Sequence, residues 1–106
     1  MAAPKLAPCP REKQVTITIV NGQITVSPDP FHVSKSGNEE VVWFYNNGSF
    51  EVDFVESPFN DTQFTDQLPV SGLVRRNVLP SKTKHYKYTV TIAGYPPSDP
   101  DGQVDN

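Results

Sequence analysis

The stretch "EEVVWFYNNGSFEVDF", residues 39–54, decides the fold class. "EVVWFYN" has no helical spacing. It is apolar on successive residues, and so reads as a central strand covered on both faces. The polar "NNGS" then turns the chain, and "FEVDF" alternates, directing Phe50, Val52 and Phe54 inward and Glu51 and Asp53 outward.

The same grammar extends in both directions. Upstream, "QVTITIV" places Val15, Ile17 and Ile19 on one face, and Asn21-Gly22 supplies a dipeptide that tolerates positive φ in a tight turn. "QITV" follows with Ile24 and Val26 inward. "SPDP" interrupts the ladder because proline lacks an N–H. "FHVSK" resumes it, with Phe31 and Val33 on one side and His32 on the other. Downstream, "HYKYTVTIAG" alternates Tyr86, Tyr88, Val90 and Ile92 against His85, Lys87, Thr89 and Thr91. Between them, residues 56–73 read as a long polar connection anchored by Phe59, Phe64 and Leu68, with room for a short helical turn. "QVDN" reads as a stub of edge strand around Val104, leaving the chain a monomer or a weak strand-addition dimer. Eleven prolines and six glycines punctuate these runs. The expectation is an all-β Greek-key sandwich of about seven strands over residues 13–106, preceded by a flexible Pro-rich tail over residues 1–12.

Composition narrows the function classes. A chain of 106 residues holds one modest core. A net charge of −3 with scattered cations gives no nucleic-acid footprint, and no run of about 18 apolar residues spans a membrane. The N-terminus "MAAPKLAPCP" lacks the charged and apolar regions of a secretory signal. Cys9 stands alone between two prolines, so no internal disulfide forms, and it reads as a free thiol. No phosphate loop, HExxH or G-x-S-x-G motif occurs, and Ser49, Ser57, Ser71 and Ser81 have no histidine beside them, so a non-enzymatic protein is expected.

Two segments resemble the cupredoxin family, the copper sandwiches related to plastocyanin and azurin. "ITVSPDPFHVSKSGNEEVVWFYNNGSFEVDF" is similar to that family's middle region, where an apolar strand ending in Asn leads through a turn to a strand of the form His-x-Val-x-Phe. "LPSKTKHYKYTV" is similar to its run-in to the copper loop. An immunoglobulin-like or fibronectin-like sandwich is the alternative. The resemblance implies an extracytoplasmic location, and it allows each copper ligand to be checked. Phe50 stands at the position of the first His and Val90 at that of the Cys; the loop after Val90 holds neither His nor Met. A blue-copper centre needs a thiolate and two imidazoles, so the expectation is a copper-free member without a cofactor. On this reading apolar side chains plug the former pocket.

Other candidate sites are weaker. His32 and His85, out of phase with the apolar faces, are expected in solvent. Asp99, Asp101 and Asp105 surround a glycine turn and offer hard oxygen ligands for Ca²⁺. Asn47-Gly48-Ser49 and Asn60-Asp61-Thr62 match the N-glycosylation sequon. The loops at the Phe50 end offer a binding rim of Asn46, Asn47, Phe59, Phe64, Tyr95 and Pro96. The sequence therefore predicts a protein-interaction or structural module with an unspecified protein partner. Two alternatives stay open: an electron-transfer protein with an unconventional metal site, and a small-molecule or carbohydrate binder using the rim.

Overall fold

The computed structural model describes residues 11–106. Among them are nine strands and no helix: β1 (Arg11–Val20), β2 (Gln23–Ser27), β3 (Phe31–Ser34), β4 (Glu39–Phe44), β5 (Glu51–Phe54), β6 (Gln63–Thr65), β7 (Val70–Leu73), β8 (Tyr86–Thr91) and β9 (Asp101–Asp105). They form a four-stranded sheet, β2-β1-β4-β7, facing a five-stranded sheet, β3-β9-β8-β5-β6. Most neighbours are antiparallel, but β1 runs parallel to β4 and β3 parallel to β9.

Alternation dictates the core. Val15 and Ile17 of β1, Ile24 of β2, Val41 and Trp43 of β4, and Val52 and Phe54 of β5 are buried. So are Tyr86, Tyr88 and Val90 of β8. Six rings meet at the centre: Phe31, Trp43, Phe54, Phe59, Phe64 and Tyr88. Trp43 is the four-stranded sheet's contribution, stacked on Phe64 at 5.1 Å and edge-on to Tyr88 at 5.7 Å, so one indole ties the two sheets together. The Asn21-Gly22 hairpin takes the expected form, with φ of 52° and 76° pairing Val20 with Gln23.

Several expectations are corrected. The 56–73 connection contains two strands, β6 and β7, and no helical turn, which raises the strand count above seven. Their local pattern is weak because β6 has three residues and β7 carries a bulge, so neither shows a full alternation. Phe59 and Phe64 anchor this segment as expected, but Leu68 is 74% exposed at the tip of the Thr65–Leu68 turn. β4 is covered on one side only, since Phe44 is 49% exposed. Its two-faced apolarity marks an uncovered patch rather than a sandwiched strand. β9 is interior, between β3 and β8, and Val104 is buried rather than at an edge. β1 includes Arg11 and Glu12, which lie within the expected tail, because Glu39 and Glu40 of β4 offer them a ladder. Cys9 and the rest of the tail lie outside the described residues.

Candidate functional site

One end of the molecule gathers the Asn21-Gly22 hairpin, the Tyr45–Ser49 turn, the Thr65–Leu68 turn and the Ile92–Tyr95 turn. The parallel β1–β4 pairing puts the C-terminal ends of both strands there. Backbone bonds shape the turns: Thr65 and Leu68 exchange N–H···O bonds of 3.2 and 3.0 Å, and the Tyr95 N–H reaches the Ile92 carbonyl at 3.1 Å. Gly48 and Gly94 adopt φ of 135° and 93°, conformations that admit glycine most readily.

Phe50 and Val90 lie on the inner face beneath these turns. Val90 is directly opposite Val52 across the β5–β8 ladder, and Phe50 sits one alternate position further out. Both are buried, beside buried Ile92. The Phe50 N–H points to Asp66 Oδ1 at 3.4 Å, tying the strand start to the Thr65–Leu68 turn. These side chains carry no donor atom for a metal, so the residues present do not fit copper.

The expected rim divides. Asn46, Asn47, Tyr95 and Pro96 are exposed, whereas Phe59 and Phe64 belong to the aromatic core and leave the rim. Their places follow from β6, whose pairing with β5 sets Phe64 opposite Val52 on the inner face. What remains lines a shallow depression of about 470 Å³, formed by Ile19, Tyr45, Asn47, Ser49, Ile92, Ala93 and Tyr95. Tyr45 and Ser49 enter it because they flank the Asn46–Gly48 turn.

The three aspartates do not converge. Asp99 accepts a 2.9 Å bond from the Thr89 hydroxyl, Asp101 lies 3.3 Å from Lys87 Nζ, and Asp105 Oδ2 lies 3.0 Å from His32 Nδ1. Asp101 and Asp105 are four residues apart on one strand, a span of roughly 13 Å, too far to share an ion whose ligands stand at about 2.3–2.6 Å. Among the described residues no group of three or more His, Cys, Asp or Glu side chains is arranged to hold a metal. His32 and His85 both lie in solvent, their side chains 50% and 44% exposed.

Of Ser49, Ser57, Ser71 and Ser81, two take buried structural places. Ser57 and Ser71 are buried, and their hydroxyls donate to the Asp61 and Gly72 carbonyls at 2.7 and 2.8 Å. A polar cluster that sequence reasoning missed lies on the outer face of the five-stranded sheet. There the Gln63 amide donates to Glu51 Oε2 at 2.9 Å and to Asp53 Oδ1 at 3.0 Å. A hydrogen bond with Asp53, and then its charge, raise the Glu51 carboxyl above its ordinary range. Both sequon asparagines, Asn47 and Asn60, are exposed. Comparison with protein-family models, with curated proteins and with solved structures finds no match for this chain.

Proposed function

We propose that the chain is a copper-free Greek-key sandwich of the cupredoxin type, acting as a non-enzymatic interaction or structural module. The observation that carries this reading is the apolar lining at Phe50 and Val90, the two positions where the resemblance calls for metal ligands. Both side chains are buried against the inner face, and residues 91–102 contain no Cys, His or Met. The strand order supports the Greek-key part. β5 and β6 pair antiparallel, β6 passes into β7 through the Thr65–Leu68 turn, and β7 returns to lie beside β4. The parallel pairs β1–β4 and β3–β9 favour the cupredoxin reading over a constant-type immunoglobulin or fibronectin sandwich built from antiparallel sheets. An extracytoplasmic location remains part of the same proposal. Titration with Cu(II) followed in the visible spectrum tests it: no intense thiolate-to-copper band is expected, and such a band refutes the copper-free assignment.

A carbohydrate-binding role is the second reading, favoured by the depression that sets Tyr45 and Tyr95 beside Asn47 and Ser49. Aromatic faces with adjacent amide and hydroxyl groups suit sugar rings. Saturable binding on a glycan array that disappears in Tyr95→Ala would put this reading ahead of the module; no binding removes it.

A further inference from the structure

The outward face of the four-stranded sheet carries an apolar patch beside two like charges. The β1–β4 register sets Glu12 beside Glu40, Gln14 beside Val42 and Thr16 beside Phe44. The β4–β7 register adds Val70 next to Val42 and Leu73 next to Glu40. All of these side chains point away from the core, which takes Val41 and Trp43 instead. Phe44, Leu73 and Val70 are 49%, 44% and 40% exposed. Together with Val42 they make a contiguous patch of roughly a few hundred Å², the size at which the largest patch on a monomer is often functional.

The carboxylates indicate what covers it. Glu12 and Glu40 project side by side from adjacent strands, a pairing that costs stability. Among the described residues neither forms a salt bridge. Partial burial, and then the charge of Glu12, hold the Glu40 carboxyl above its ordinary range. A cation brought by a partner would relieve the repulsion between the two carboxylates. Addition of a strand along the β7 edge is opposed by the local backbone. The register shifts between Glu40 and Val42, the Val41 N–H bonds to Ser71 Oγ at 2.8 Å, and Gly72 adopts a φ of 76°. Such bulges blunt sheet edges. An apolar sheet face is instead commonly covered by a helix.

We propose that this face docks an amphipathic helix of a partner protein, with apolar side chains over Val42, Phe44, Val70 and Leu73 and a Lys or Arg against Glu12 and Glu40. The inference rests on the interaction-module reading but places the contact on the sheet rather than on the loop rim. Selection from a display library of helical peptides against the full chain tests it. The enriched peptides are expected to be basic, with apolar residues at i, i+3, i+4 and i+7. Phe44→Glu, and separately Glu12→Lys with Glu40→Lys, should each weaken their binding at least about tenfold. All three substituted positions lie on the outer surface, and melting curves establish that the variants stay folded. Peptides that bind Phe44→Glu as well as the parent chain overturn the proposal. If those peptides instead lose binding in Tyr95→Ala, the module reading survives on the rim; if no peptide is enriched at all, the helix-docking proposal falls while the module reading, which does not require a helical partner, stands. A dimer in sedimentation equilibrium that Phe44→Glu dissociates would assign the face to a second copy and also overturn the proposal.

Discussion

Adding one methyl group at Gly102 should cost more stability than its size suggests. Gly102 of β9 faces Phe31 of β3 in their parallel ladder. A Cβ on Gly102 would stand 2.0, 2.3 and 2.5 Å from Phe31 Cζ, Cε2 and Cε1. Carbon atoms prefer separations of about 3.5–4.0 Å, so the ring would have to retreat by roughly 1.5 Å. It has nowhere to go: Phe31 is fully buried, with the rings of Trp43, Phe54, Phe59 and Tyr88 at 5.8–6.5 Å between centroids. Backbone strain does not confuse the result, because Gly102 is not among the positive-φ residues and alanine is compatible with its strand conformation. Overpacking typically costs about 1–3 kcal/mol. With three ring atoms in conflict, the upper end, about 3 kcal/mol, is expected for Gly102→Ala. For a domain of this length that lowers Tm by roughly 12–24 °C. Urea titration read by Trp43 fluorescence and far-ultraviolet circular dichroism measures it. Phe31→Leu should relieve the conflict, so the double variant is expected to show a coupling of about 2 kcal/mol. A Gly102→Ala protein melting within about 2 °C of the parent, or an additive double variant, refutes the reasoning.

Three further outcomes are expected. Phe50→His combined with Val90→Cys replaces buried apolar groups by polar ones and should lower stability by about 2–4 kcal/mol; equal or greater stability in urea would contradict the plugged-pocket account. Ser71→Ala removes the hydroxyl that accepts the Val41 N–H, leaving a buried donor unpaired at a cost of about 1–3 kcal/mol. Hydrogen exchange at the Val41 amide should accelerate with it. Tyr88 is almost fully buried, and among the described residues its hydroxyl makes at most a weak contact with the Trp43 indole N–H. Burial pushes its phenol above the ordinary range. Because the folded state holds the proton more tightly, this contribution is fully present below about pH 10 and declines as pH rises above it. Tyr88→Phe should therefore flatten alkaline unfolding while changing stability at pH 7 by less than about 1 kcal/mol; an unchanged alkaline limb removes Tyr88 as its source.

The class of fold and most of the inner face were legible because alternation is a local signal. "FEVDF" and "HYKYTVTI" announce which side chains face inward without reference to any neighbour. What escaped was pairing. β6 is three residues long, and only its ladder with β5 turns Phe64 from a rim aromatic into a core one. Val104 read as an edge because nothing local says that β3 crosses to the second sheet and covers it. Apolar residues on both faces of β4 are compatible with a covered strand or with an exposed patch, and periodicity cannot separate the two. Of the site, the inward placement of Phe50 and Val90 was legible from the alternation of their strands. The depression needed the turns at Tyr45 and Tyr95 brought together in space.

The two outward faces differ in what association would cost them, and this decides where a partner gains most. On the five-stranded sheet most polar groups already engage one another: Gln63 bridges Glu51 and Asp53, whose like charges it offsets only in part, Thr89 bonds Asp99, and Asp105 takes both His32 and Gln103. A protein docking there would strip water from charged groups whose best partners are already in place, and desolvation of that kind consumes the gain from contact. On the four-stranded sheet the central residues are Val42, Phe44, Val70 and Leu73, whose removal from water contributes roughly 25 cal/mol per Å². Two charges beside them, Glu12 and Glu40, repel each other before any partner arrives. Covering that face with apolar side chains and one cation therefore recovers hydrophobic free energy and relieves an existing repulsion together.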